Sequence, residues 1–149
     1  MDVVYSSNEN YVRHLAVSMY SLMDRNQAGE RIRVFILSSG ITSESRERLF
    51  QIAEHFGREI VWIPMGDLRE KFPYEVDTGG FDISAMGRLF APQVLPGTVK
   101  KALYLDCDTI VRGSIRSLYR TDLKGSLAGM VMEPTVYEAM RESIGFGRD

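Results

Sequence analysis

With 149 residues, 44% hydrophobic and 26% charged, the chain has the length and apolar content of one globular unit with a real core. Its 18 Lys and Arg against 20 Asp and Glu give a formal net charge of -2, which argues against a nucleic-acid partner, because such proteins carry a basic surplus that displaces counterions from phosphates. The chain is too hydrophobic for disorder, has no apolar run of the roughly 18 residues a spanning helix needs, and with its single cysteine, Cys107, forms neither an intrachain disulfide framework nor a Cys/His zinc cluster.

The start Met1-Asp2-Val3-Val4-Tyr5 lacks a secretory signal pattern, so a cytoplasmic location is expected. Asp2 to Ser6 reads as a strand, and Val12, Leu15, Ala16, Met19 and Met23 follow at the spacing of a helix with one buried face. The run 32–37 is a second strand, broken at Ser38-Ser39-Gly40. Thr42 or Ser43 then caps a helix carrying Leu49, Ile52, Ala53 and Phe56 on one side. Glu59 to Ile63 is a third strand closed by Pro64, and Gly66 to Gly80 reads mainly as loop.

Ser84 to Leu95 suggests a helix interrupted near Pro92, and Pro96-Gly97 a turn. Ala102-Leu103-Tyr104-Leu105 is the apolar run of a strand covered on both faces, stopping at Asp106-Cys107-Asp108. Leu127 to Met132 reads as a further strand, with Pro134 opening a last helix to about Ser143. Strands alternating with helices imply an α/β fold with a mostly parallel sheet, and such sheets bind ligands beyond the carboxyl ends of their strands.

Two polar clusters fall at those ends. Asp106 and Asp108, one residue apart, can turn both carboxylates toward one hard cation, and oxygen-only ligands favour Mg²⁺ or Mn²⁺. D-x-D alone is weak; the buried strand leading into it supplies the specificity, and the competing reading is two aspartates capping a turn. Cys107 between them reads as a buried small side chain. The other cluster, Ser6-Ser7-Asn8-Glu9-Asn10-Tyr11, can hold a base and ribose. An amide oxygen of Asn8 or Asn10 can accept from an imide N–H, and the Tyr11 ring can stack on a base. Against this stands an equally simple reading in which Asn8 or Asn10 caps the helix and Tyr11 packs. Arg88 can pair with a phosphate or with one of the aspartates. His14 and His55 sit inside helical patterns and receive no role. There is no Walker and no G-x-G-x-x-G fingerprint.

Three segments, Val3 to Tyr11, Arg88-Leu89-Phe90-Ala91-Pro92 and Ala102 to Val111, resemble the family 8 glycosyltransferases, which include bacterial lipopolysaccharide galactosyl- and glucosyltransferases and glycogenin. The resemblance covers nearly the whole chain. It implies a GT-A type, Rossmann-like nucleotide-diphospho-sugar transferase fold truncated on its C-terminal side, with residues 1–149 as one partial domain. It further implies a UDP-hexose donor, Mn²⁺ or Mg²⁺, and retaining transfer of galactose or glucose to a glycan or glycolipid acceptor, with peripheral association at the inner membrane face where the acceptor is lipid-linked. Asp106 and Asp108 would be metal ligands. Ser6, Asn8, Asn10, Tyr11, Arg88, Asp106 and Cys107 would form the donor site, with Arg88 and Glu133 on the catalytic side. Asn8 stands where many members have Asp, Met86 where they often have an aromatic ring, and the His-containing motif that supplies a third metal ligand has no counterpart. Two other readings stay open: a sugar-phosphate nucleotidyltransferase, which would want a glycine-rich basic loop after the first strand, and a non-catalytic nucleotide-sugar-binding module that pairs with another copy through the face left by the missing half.

Overall fold

The computed structural model describes residues 1–27, 31–78, 80 and 82–131. Four strands, β1 (Asp2–Asn8), β2 (Arg33–Ser39), β3 (Glu59–Pro64) and β4 (Leu103–Tyr104), form one parallel sheet in the order β3-β2-β1-β4. Asp2 pairs with Arg33 and Asn8 with Ser39 in the central register. At its first pair the Arg33 guanidinium grips both Asp2 carboxylate oxygens, at 2.7 and 3.0 Å, a forked contact that anchors this register.

β1 and β2 read as continuous apolar runs because both faces of the sheet are covered. Val3, Tyr5, Val34 and Ile36 point to one side, where α1 (Val12–Asp24) and α2 (Ser43–His55) bring Leu15, Met19, Leu22, Met23, Leu49 and Ala53. Val4, Phe35 and Leu37 point to the other, against Met65, Leu68 and the segment from Ile83 to Val99. Both helices lie on one face because each crossover steps the same way along the sheet with the same hand. Thr42 caps α2, its hydroxyl accepting from the Ser45 N–H at 3.2 Å. Gly57 ends it at φ +60, with the Gly57 and Arg58 N–H groups donating to the Glu54 and Ala53 carbonyls at 2.9 and 2.8 Å.

Two expectations need correction and a third is sharpened. Residues 83–95 do not form an interrupted α-helix: Ile83–Phe90 is a 3-10 helix that passes into a single turn, α3 (Ala91–Val94), with Pro92 in that first turn, where its missing N–H has no partner to lose. β4 is covered on both faces, Leu103 and Leu105 on one cluster and Tyr104 on the other, yet as the edge strand it stays half-buried and pairs over two residues. Residues 127–131 form no strand; Leu127, Met130 and Val131 are exposed, and no strand among the described residues pairs with them. Met132, Glu133 and the last helix to Ser143 lie outside the described residues. A short helix α4 (Arg116–Tyr119) follows β4. No described helix is long and apolar enough to cross a membrane.

Candidate active site

The chain leaves β1 for β2 and β3 on one side and returns to β4 on the other, so the strand order reverses between β1 and β4. Open parallel sheets bind ligands in the crevice at that reversal. Beyond β4 the Leu105 N–H still donates to the Val4 carbonyl at 3.0 Å, and then the chain turns. The Asp106 carbonyl accepts from the Thr109 N–H at 3.3 Å and the Thr109 hydroxyl at 2.7 Å. This turn leaves Asp106 and Asp108 exposed and drives Cys107 inward to 7% exposure, where its Sγ donates to the Ser6 carbonyl at 3.2 Å. Burial, with the two flanking carboxylates, pushes the Cys107 thiol up to about 11, so it remains a thiol at neutral pH.

The turn is strapped to α1 by side chains that sequence reasoning passed over. Buried Ser18 bridges Tyr5 Oη at 3.1 Å and Thr109 Oγ1 at 3.0 Å. Ser21 Oγ accepts from the Val111 N–H at 2.9 Å, and buried Asn26 Oδ1 accepts from the Ile115 N–H at 2.9 Å. Ser18 and Ser21 lie three residues apart on one helix face. Polar side chains at the spacing of a buried apolar face were the available signal.

Arg88 comes from the 3-10 helix on the opposite sheet face. Its guanidinium lies over the Tyr104 ring at 4.9 Å, its Nε donates to the Ala85 carbonyl at 2.8 Å, and its Nη1 stands 3.4 Å from Asp106 Oδ1. The helix can approach β1 this closely because Gly87 has no side chain: a Cβ there would lie 2.1 Å from Ser6 Oγ. Ser6 is buried and joins the parts, its hydroxyl donating to the Ser84 carbonyl at 2.6 Å while its own carbonyl receives Cys107.

A cleft of about 810 Å³ opens over the ends of β1, β2 and β3. Asn8, Tyr11, Asp82, Ile83 and Ser84 line one wall, with Gly66 to Arg69 opposite. Ser39 Oγ, at the end of β2, is buried there with no hydrogen-bond partner among the described residues. Asn8 caps the 3-10 turn Glu9–Tyr11 through its Oδ1, as the simpler reading of that cluster requires, and its Nδ2 donates to Asp82 Oδ2 at 2.7 Å. The structure thus brings Asn8 and Tyr11 together in the cleft, and Arg88 and Asp106 together at the β4 end. Asp108 and Cys107 border a second hollow of about 280 Å³ with His14, and Asn10 is exposed. Asp82 went unnoticed between the stretch read as loop and the segment read as helix; its spacing ahead of Ser84, whose N–H donates to its carboxylate at 2.8 Å, is the capping signal that marks it.

The sequence profile of the family described as Glycosyl transferase family 8 matches residues 2–145. The chain belongs to that family. Among members and relatives, General stress protein A of Bacillus subtilis (strain 168) is 22% identical over 143 residues, 95% of this chain and 49% of that protein. The galactosyltransferase LgtC, crystallised with donor and acceptor sugar analogues, superposes with a TM-score of 0.84 at 27% identity, over 99% of this chain and 52% of that one. Apo mouse xyloside xylosyltransferase 1 shares the fold, with a TM-score of 0.62 at 18% identity over 99% of this chain and 60% of its own. The family 8 chain therefore spans about half the length of the stress protein and of LgtC. Its parallel sheet flanked by helices is the GT-A-type architecture expected from the sequence.

Two carboxylates at a strand end suit a divalent cation that takes its remaining ligands from phosphate oxygens and water. Among the described residues no group of three His, Cys, Asp or Glu side chains gathers for a metal. The donor set of Asp106 and Asp108, oxygen only and exposed, fits Mg²⁺ or Mn²⁺ in that shared-ligand mode.

Proposed function

We propose that this chain is the donor-binding part, as one partial domain, of a metal-dependent retaining glycosyltransferase that moves a hexose from a UDP-sugar to an acceptor hydroxyl in the synthesis of a lipopolysaccharide or other cell-surface glycan. The observation that carries this is the Arg88–Asp106 pair at the end of β4, set at the strand-order reversal beside a cleft containing Asn8 and Tyr11. Likeness to LgtC over 99% of the chain supports it.

In this reading Asp106 and Asp108 hold the cation, which when bound neutralises the diphosphate that leaves the sugar. Arg88, fixed by the Tyr104 ring and the Ala85 carbonyl, adds a fixed positive charge where negative charge develops. The Tyr11 ring stacks on the base, Cys107 anchors the acidic turn to β1 without ionising, and Ser6 ties that turn to the cleft wall. Glu133, outside the described residues, is assigned to the sugar and acceptor side by resemblance alone. The acceptor is a glycan or glycolipid on the cytoplasmic side of the membrane. A narrower reading, nucleotide-sugar binding without transfer, is favoured by the set of only two carboxylates that the described residues offer a cation.

Calorimetric titration of UDP with and without Mn²⁺ tests both. Binding is expected only with the metal, and Asp106→Asn with Asp108→Asn is expected to abolish it while unfolding stability changes by no more than about 0.5 kcal/mol, as for other exposed positions. Metal-independent binding, or none by a folded sample, would defeat the proposal. Transfer or hydrolysis of UDP-galactose and UDP-glucose then separates the enzyme from the binding module.

A further inference from the structure

The position at which an imide N–H should find its acceptor is occupied differently from what the resemblance implies. Asn8 Oδ1 accepts from the Tyr11 backbone N–H at 3.2 Å, and Asn8 Nδ2 donates to Asp82 Oδ2 at 2.7 Å. Together these contacts orient the amide, since flipping it would set N–H against N–H and oxygen against carboxylate. Asn8 therefore turns its acceptor toward its own backbone and its donor toward the cleft wall.

The anion in this corner is Asp82. Its Oδ1 accepts from the Ser84 N–H at 2.8 Å and its Oδ2 from Asn8 at 2.7 Å, and the Ser84 hydroxyl also bonds the carboxylate, which still leaves one lone pair on a residue that lines the cleft. Burial raises its pKa, but the Ser84 and Asn8 hydrogen bonds outweigh that and hold it below the usual carboxylate range, so it is ionised at neutral pH. Amide and acid thus face each other across one hydrogen bond, with the charge on the cap of the 3-10 helix and the amide at the end of β1.

The geometry points to Asp82 as the acceptor of the uracil imide N–H and as the residue that sets base preference, with the second amide hydrogen of Asn8 directed at the adjoining ring carbonyl. An N–H beside an anionic oxygen matches the carbonyl beside N–H of an imide edge. The inference rests on the UDP-sugar reading above and names the chemistry of its base end.

The test is calorimetric binding of UDP and of N3-methyl-UDP, both with Mn²⁺ at neutral pH, to the wild type, Asp82→Ser and Asn8→Asp/Asp82→Ser. Serine still caps the 3-10 helix but is short and uncharged, and thermal melts establish that each variant folds. The wild type is expected to prefer UDP by about tenfold or more, the scale of a hydrogen bond to a charged group. Asp82→Ser is expected to bind the two nucleotides alike. The double variant, with the anion moved to the other end of the same contact, is expected to recover the preference. An unchanged preference in Asp82→Ser, or a lost one that the double variant does not regain, would overturn the role of Asp82 and leave UDP binding standing. A wild type that binds no UDP would defeat the UDP-sugar reading itself, and this inference with it.

Discussion

On one face of the sheet α1 and α2 bury Leu15, Met19, Leu22 and Met23 completely; on the other, a 3-10 helix and one helical turn leave Ile83, Phe90 and Val94 half-buried. The regular face holds most of the fully buried apolar side chains. The irregular face supplies Asp82 and Arg88, the polar side chains assigned to the proposed donor site. On the proposed reading, stability and recognition are drawn from opposite faces of one sheet, joined through Ser6 and Cys107 on the strand side.

Truncations on the two faces put this division to its hardest test. Met19→Ala removes a fully buried side chain and is expected to cost about 2–5 kcal/mol in urea unfolding. Phe90→Ala removes a ring half in water, packed edge-on against Phe72 at 5.1 Å, and is expected to cost roughly 1–2 kcal/mol because only part of its area leaves water on folding. UDP affinity should follow the reverse order. Equal costs would mean the irregular face is as much a part of the cooperative core as the helical one.

An effect smaller than that of Met19→Ala is expected where the irregular face meets β1. An alanine at Gly87 would set its Cβ 2.1 Å from Ser6 Oγ and 3.3 Å from Ser6 Cβ. Either the serine turns away, leaving the Ser84 carbonyl without its donor, or the segment carrying Arg88 moves outward. Gly87→Ala is expected to cost about 1–3 kcal/mol, as overpacking does, and to weaken UDP binding. Ser6→Gly in the same chain should recover part of the lost melting temperature by making room, the remainder staying lost with the Ser84 carbonyl's donor and the strand glycine. A double variant no more stable than Gly87→Ala would show that the close approach is not what requires glycine there.

The same division explains what was legible in the sequence. The apolar spacing of Leu15, Met19 and Met23 and the apolar runs of β1 and β2 announce the regular face, because burial against a helix imposes a period. Residues 83–90 carry an apolar spacing that reads as an α-helix, yet they form a 3-10 helix, capped by Asp82 and laid against β1 through Gly87. The apolar run 127–131 resembles a strand by composition, but a strand exists only where another strand meets its hydrogen bonds. Asp106, Asp108 and Arg88 could be picked out at the end of an apolar strand and on the segment before it. The contact between Asn8 and Asp82 could not, because it joins residues 74 positions apart.

The finest test concerns how the regular face holds the edge of the cleft. Glu9, in the 3-10 turn that Asn8 caps, accepts from the Thr42 N–H at 2.8 Å, the Thr42 hydroxyl at 3.2 Å and the Ser45 hydroxyl at 2.7 Å, clasping the cleft wall to the first turn of α2. The Thr42 N–H, and then the Ser45 hydroxyl, hold its carboxyl below its ordinary value of 4.5. A folded pKa below the unfolded one means the clasp stabilises the fold fully above the unfolded value and is lost as pH falls through the folded one. Glu9→Gln should therefore lower the urea midpoint slightly near neutral pH, with the gap from wild type closing in acid. A gap that stays constant down the acid series would mean that the contact acts through shape alone and that the charge of Glu9 contributes nothing to joining the two regions.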